Sequence, residues 1–390
     1  MELPHNVLLY ILLLIAVAAG YLLGRRERRV DTSSEESIRE YYQGLNVLLE
    51  ERSELSVERF VRSAEVSEQT LDVHLAMAAV VRRRGEMEKG IAIHQNLLAS
   101  TMLTARSKQL VEFELARDYQ SAGLLDRAEQ LLVKIIGEKT PQQDAAVELL
   151  IQLYEQERDW RKALDASKDL TKPDAAMRVR LAHFHFEMAG DAIAEQDNHS
   201  ALKHIRRGVS LSPGQARGYW LRAQVEMQRR NYKAVRRFLQ KAFEQQGDLV
   251  TGLLPLYRQA CDAMEDDAGF ESFLRQCLRS HPFPSVLLAL QNHVRRNGGV
   301  LTTSELLEQM QANPQIGHVP MLIQLMQVQS NPPDTEARIE QITQQILKSL
   351  DDSVAFKCGE CGFKSRSVTW HCPTCKAWGS FGQSLPSNSA

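Results

Sequence analysis

The feature that most constrains this chain is a recurring pair of small residues set twelve positions apart. Ser56, Gly90, Ala128, Ala163, Ala201 and Val235 follow one another at intervals of 34, 38, 35, 38 and 34 residues. Twelve positions before each stand Gly44, Ala78, Ala116, Ile151, Ala189 and Ala223, and ten of these twelve residues are Ala, Gly or Ser. A hairpin of two closely crossing helices needs small side chains at the crossing, because a large one wedges the backbones apart. Larger residues fill the positions between. Val47, Val81, Tyr119 and Tyr154 lie nine before the second small position, and Phe60, Leu132, Ile205 and Leu239 lie four after it. His94 and Ser167 break this pattern by standing where a large apolar residue is expected. Bends are marked by RRRGEMEKG at 82–90 and SAGLLDRA at 121–128, and Pro213 follows Leu211 where a helix should end.

A helix–turn–helix period near 34 resembles the tetratricopeptide repeat family. The segments GLLDRAEQLLVKI, DWRKALDASKDL and HSALKHIRRGVSLSP carry that resemblance best. Repeats are expected over residues 38–245. Degenerate helical repeats should follow over 246–350, interrupted at His281-Pro282, Asn297-Gly298-Gly299, Asn313-Pro314 and Asn331-Pro332-Pro333. Stacked hairpins bury a continuous core and expose an elongated groove suited to a peptide or partner helix. Arginine clusters at 82–84, 206–207, 229–230, 236–237 and 295–296 read as solvated faces; any that line the groove would recognise an acidic segment. A net charge of −2 argues against nucleic acid as a partner. In HFHF at 183–186, His183 and His185 face opposite sides of a helix and read as core or surface residues.

Residues 6–24, NVLLYILLLIAVAAGYLLG, contain no charge. At about 1.5 Å per helical residue they span the ~30 Å hydrocarbon layer of a bilayer. Arg25, Arg26, Arg28 and Arg29 follow, whereas residues 1–5 hold no Lys or Arg. The positive-inside rule then leaves residues 1–5 in the periplasm and puts the basic and polar linker 25–37, with everything after it, in the cytoplasm. A cleavable signal peptide would carry its positive charges before the apolar run. Ala16, Gly20 and Gly24 lie four apart on one helix face, a spacing that lets membrane helices approach closely and admits a homo-oligomer.

Four of the six cysteines crowd together near the end of the chain: Cys358 and Cys361, then Cys372 and Cys375 after a ten-residue gap. No cysteine precedes Cys261, a distribution unlike a disulfide framework and suited to a reducing compartment. Two C-x-x-C turns supply a tetrahedral set of four thiolates, which fits one zinc or iron ion. A single C-x-x-C could be a thioredoxin-type redox pair, but two in tandem without a βαβ context are not. The segment 354–381 is too small to fold on apolar burial alone, so the metal should supply most of its folding free energy. Phe356, Phe363, Trp370, Trp378 and Phe381 are expected to form an aromatic core around it, with His371 outside the ligand set; residues 382–390 read as a flexible tail. The turns bearing Gly362 and Pro373 resemble rubredoxin knuckles. The short spacing between the pairs, and Lys376 in place of a glycine, weaken an electron-transfer role.

These readings combine into an all-α chain with a single N-terminal transmembrane helix, a tetratricopeptide-like α-solenoid and a small C-terminal rubredoxin-like four-cysteine domain. In that order the chain resembles the lipopolysaccharide assembly protein B family of Gram-negative bacteria. The motifs that carry the resemblance are YLLGRRER at 21–28, RGEMEKGIAIHQNLL at 84–98, AGLLDRAE at 122–129 and WHCPTCKAW at 370–378. The resemblance implies a non-enzymatic adaptor of the inner membrane, facing the cytoplasm. It implies promotion of the degradation of UDP-3-O-acyl-N-acetylglucosamine deacetylase by the membrane-bound AAA protease FtsH. It also implies the gathering of other lipopolysaccharide assembly proteins, a metal held by the four cysteines, and contact of the membrane helix with the protease or its regulators. Two other readings remain: a membrane-anchored redox protein using an iron knuckle, and a nucleic-acid-binding zinc ribbon.

Overall fold

The computed structural model describes residues 66–138, 140–281, 283–299 and 356–383. The apolar segment 6–24 with Ala16, Gly20 and Gly24, the arginines Arg25, Arg26, Arg28 and Arg29, and the linker 25–37 lie outside the described residues. So do the first hairpin with Gly44 and Ser56, the helices expected over 300–350, and the tail from 384. Among the described residues no helix is long and apolar enough to cross a membrane.

The chain divides into two compact units, Met1–Thr171 and Lys172–Ala390. The first contains α1 (Leu71–Arg83), α2 (Met87–Ala99), α3 (Ala105–Ser121), α4 (Leu125–Gly137), α5 (Gln143–Glu157) and α6 (Trp160–Ala166). The second contains α7 (Ala175–Ala194), α8 (Asn198–Leu211), α9 (Ala216–Gln228), α10 (Tyr232–Gln245), α11 (Val250–Asp262), α12 (Asp267–Ser280) and α13 (Pro284–Arg296). Three short strands end it: β1 (Phe356–Cys358), β2 (Lys364–Ser365) and β3 (Phe381–Gln383).

Each helix pair is closed by the same backbone device. Gly85, Gly123, Arg158, Gln196, Arg230, Glu265 and Gly298 adopt left-handed φ between 53° and 84°. The next amide in each case bonds the carbonyl five residues back, from Glu86 to Val81 (3.1 Å) through Gly299 to Val294 (2.9 Å). This is the Schellman ending, which satisfies carbonyls the helix leaves open. At four bends the following residue, Asp159, Asp197, Asn231 or Asp266, then caps the next helix through its side chain. The left-handed residues recur at 38, 35, 38, 34, 35 and 33 residues. The repeat therefore continues past residue 245, through α11–α12 and on to α13 with its bend at Gly298.

The small positions sit at the crossings. Ala78, Ala116, Ala128, Ile151, Ala163, Ala189, Ala201, Ala223 and Val235 have no exposed surface, and Gly90 is buried with them. A Cβ at Gly208 on α8 would lie 2.5 Å from the Phe186 ring and 3.0 Å from the Ala182 carbonyl of α7, closer than packed atoms allow. The α11–α12 pair differs. By the spacing of its bend, Arg258 and Phe270 take the small positions, and the Arg258 guanidinium lies 4.9 Å over the Phe270 ring while Tyr257 stacks on Phe273 at 3.8 Å. An aromatic crossing replaces a close one, which is why small-residue spacing could not follow the array here.

Both exceptions to the apolar pattern have polar partners. His94 has no exposed surface, and its Nδ1 lies 2.6 Å from Asp118 Oδ2. Asp118, also without exposed surface, accepts from Arg82 at 2.7 Å, and Arg82 donates to Glu114 at 2.9 Å. The first unit thus carries a paired polar network in its interior, where each buried charge has a partner. Ser167 has nothing apolar to bury; α6 stops before it in a 3-10 turn, and its hydroxyl donates to the Leu164 carbonyl at 2.7 Å.

Candidate metal centre and its seat on the helices

The three strands form one antiparallel sheet in the order β2-β1-β3, with Phe356 opposite both Ser365 and Gln383. The expected all-α description therefore excludes this tip, whose backbone pairs as sheet. Its two C-x-x-C turns are built alike. Cys358 donates its amide to Phe363 O and accepts from Gly362 N; Cys372 donates to Ala377 O and accepts from Lys376 N, all at 2.9–3.0 Å. Gly362 and Lys376 both take left-handed φ, 76° and 61°. Lys376 holds the glycine conformation at a cost of about 1–2 kcal/mol, so the missing glycine leaves the turn intact.

The turns bring the four sulfurs within 4.8 Å of one another. Cys358 Sγ lies 3.6 Å from Cys375 Sγ, and Cys361 Sγ lies 3.6 Å from Cys372 Sγ. A tetrahedron with metal–sulfur bonds of about 2.3 Å has edges of about 3.8 Å, whereas a disulfide needs about 2.05 Å. The arrangement fits a metal ion held by Cys358, Cys361, Cys372 and Cys375. The Ser380 hydroxyl, 3.1 Å away, and then the amides of Cys361 and Glu360 pull the Cys358 thiol down to about 6. Burial opposes ionisation of Cys372, but the amides of Cys375 and Thr374 outweigh it and lower that thiol too. Each turn thus favours one thiolate before any cation arrives. Cys358 and Cys372 are buried and Cys361 and Cys375 exposed, so one side of the centre faces solvent.

The aromatic core expected around the metal is only partly formed. Phe356 and Phe381 are buried beside Cys358 and Cys372, with Val368 against them, but Phe363 is exposed. Trp370 and Trp378 turn away from the sulfurs and onto the helices. So small a sheet has an interior for two rings, and the two indoles pack against side chains of α7 and α9 instead. Trp378 stacks on His371 at 4.3 Å and on His183 of α7 at 5.1 Å, with the Phe184 edge at 5.9 Å. Trp370 meets the Trp220 edge at 5.7 Å. Arg217 of α9 lies 5.4 Å over Trp370 and 6.0 Å over Trp378, and bonds Glu187 at 2.7 Å. His371 is therefore part of the seat and not a ligand.

Burial first, then Arg217 and His371, push the His183 imidazole down to about 3, so it is neutral beside the Arg217 cation. Polar contacts complete the seat. Gln246 donates to the Phe381 carbonyl at 3.0 Å, Thr251 to Gln383 Oε1 at 2.5 Å, and Gln383 Nε2 to Ser285 at 3.1 Å. Gly379, at φ 62°, leaves room for His183, whose Nε2 would stand 3.2 Å from a Cβ there. Of these helix residues only His183 drew notice in the sequence. Arg217, Trp220, Gln246 and Thr251 carry no local motif, and their role comes from a contact with residues more than a hundred positions away.

Comparison with known proteins agrees with this geometry. A family model described as a rubredoxin metal binding domain, of zinc-ribbon type, matches residues 356–383. Lipopolysaccharide assembly protein B of Escherichia coli (strain K12) is 27% identical over 375 residues, covering 95% of this chain and 96% of that protein. Its namesake from Haemophilus influenzae is 25% identical over 388 residues, with the same coverage of 95% and 96%. A solved tetratricopeptide repeat protein from Parabacteroides merdae is 10% identical, covers 70% of this chain and 99% of its own, and has a TM-score of 0.35. At that score the solenoid assignment rests on the hairpins and their repeated bends instead. With matches that run from the helical repeats through the four-cysteine tip, the chain is related over nearly its whole length to the lipopolysaccharide assembly protein B family.

Proposed function

We propose that this protein is a non-enzymatic adaptor of lipopolysaccharide synthesis, tethered to the inner membrane by residues 6–24 with its body on the cytoplasmic side. In this reading it presents UDP-3-O-acyl-N-acetylglucosamine deacetylase to the FtsH protease and gathers other lipopolysaccharide assembly proteins. The observation that carries the reading is the relationship to proteins of that name across 95% of the chain. The architecture agrees with it: among the described residues His94, Asp118 and Arg82 pair with one another inside the fold, and His183 helps hold the tip on the helices. A tip seated by stacked rings and a buried arginine is a fixed part of a protein-binding surface.

Zinc is the ion proposed for the four cysteines, in keeping with the zinc-ribbon model. When bound, it supplies cross-linking of the two turns and no redox chemistry. The redox alternative gains nothing from the relatives, whose name refers to assembly. The test is a pull-down from membranes comparing the full chain with one lacking residues 1–29. Recovery of the deacetylase and protease with the full chain alone is expected. Their absence from both samples would remove the adaptor reading. A purified protein carrying a reversibly reducible iron in place of zinc would favour the alternative.

A further inference from the structure

A cavity of about 410 Å³ lies between α9, α11 and the loop 366–370 that joins β2 to the second cysteine turn. That volume lies within the range of ligand clefts, roughly 300–1,000 Å³, and far exceeds the share of one water, about 30 Å³. Its walls come from both parts of the unit: Arg217, Trp220 and Gln224 from α9, Thr251 from α11, and Arg366 and Trp370 from the tip. Gly252 of α11 is also in the lining. A Cβ there would stand 2.7 Å from the Trp220 ring and 3.0 Å from Val368, so only glycine lets helix and loop meet.

Two guanidinium groups line this space and no carboxylate does. Arg217 is 6% exposed and shares its terminal nitrogens with Glu187 and His183, yet its Nε is buried without an acceptor. Arg366 is an exposed member of the lining, and among the described residues no ion pair engages it. Trp220 and Trp370 offer apolar walls beside these donors. A cationic recess with aromatic sides suits a group with a short apolar stem and a carboxylate head. We propose that the cavity receives a glutamate or aspartate side chain from an acidic segment of a partner polypeptide, Arg217 and Arg366 being its donors. This rests on the adaptor reading only in taking the partner to be a protein. Because half the walls belong to the tip, the site exists only while the metal-bound tip is seated, and partner recognition is thereby tied to metal content.

The test uses the full chain, zinc-loaded and in detergent, titrated calorimetrically with a capped hexapeptide containing adjacent glutamates and one phenylalanine. Its glutamine counterpart, inorganic phosphate and a short single-stranded oligonucleotide complete the set. Saturable binding of the glutamate peptide is expected, with the glutamine peptide at least about ten-fold weaker. Arg366→Glu should weaken binding by about ten-fold or more with unchanged metal content and melting temperature. Ser367→Trp, which fills the rim, should do the same. Absence of saturable binding, equal binding of the glutamine peptide, tighter binding of phosphate or oligonucleotide, or indifference to Arg366→Glu would overturn the assignment. If the peptide fails while the pull-down still recovers deacetylase and protease, the cavity assignment falls and the adaptor reading stands. The opposite pair of results removes the adaptor reading and leaves the cavity.

Discussion

Replacing Trp378 with alanine should unseat the tip without emptying the metal site. Trp378 stacks on His371 and His183 and meets the Phe184 edge, and none of these contacts touches a sulfur. Only the His183 and Phe184 pairs cross from the tip to α7, and at about 0.5–1.5 kcal/mol each they amount to about 1–3 kcal/mol. Truncating a fully buried Trp costs about 3–5 kcal/mol. Trp378 is half-buried, so about 2 kcal/mol is expected, and the docking equilibrium should shift by about thirty-fold. Hydrogen exchange followed by mass spectrometry would read this directly. Amides in β3 and in α7 near His183 should exchange faster, while zinc stoichiometry stays at the wild-type value. Trp378→Phe should give a smaller effect in the same direction. Unchanged exchange in both segments would refute the reasoning, because the ring stack would then not be what holds the tip.

Asp118→Ala leaves Arg82 and His94 buried without their shared acceptor, and should cost about 3–5 kcal/mol in urea unfolding of the first unit. His183 is held neutral with its folded pKa near 3, below the unfolded value of about 6.5, so its contribution is full above pH 6.5 and declines as pH falls toward 3. The loss should be roughly 2 kcal/mol at pH 5, measurable as a lowered unfolding midpoint that His183→Gln flattens. Cys358→Ser with Cys361→Ser should abolish metal binding and strand protection over 356–383 while far-UV helical content persists, checked by elemental analysis and circular dichroism. Gln196→Gly relieves a left-handed backbone at φ 62° and should raise stability by up to about 1 kcal/mol in chemical denaturation.

How much was legible varies with the range of the interaction. The hairpins α1–α10 follow from small residues that all proved buried, because a crossing within one hairpin is a local matter of side-chain size. The α11–α12 hairpin was hidden from that signal by Arg258 and Phe270, yet a second one was present. The polar residue pairs at 158–159, 196–197, 230–231 and 265–266 each combine a left-handed bend with an Asp or Asn cap. His94 looked like a flaw in the pattern because its partner Asp118 belongs to the next hairpin.

From the order of its residues alone, this chain's repeat length, its bends and the convergence of four sulfurs could be stated. Each depends on contacts spanning a few residues to a few tens, where backbone geometry leaves little choice. Tertiary structure alone decided that Trp370 and Trp378 serve the helices and not the metal, and that Arg217 is buried between them. It also created the cavity between α9, α11 and the tip. Those outcomes depend on which side chains stand opposite each indole, and that is settled only once distant segments have met.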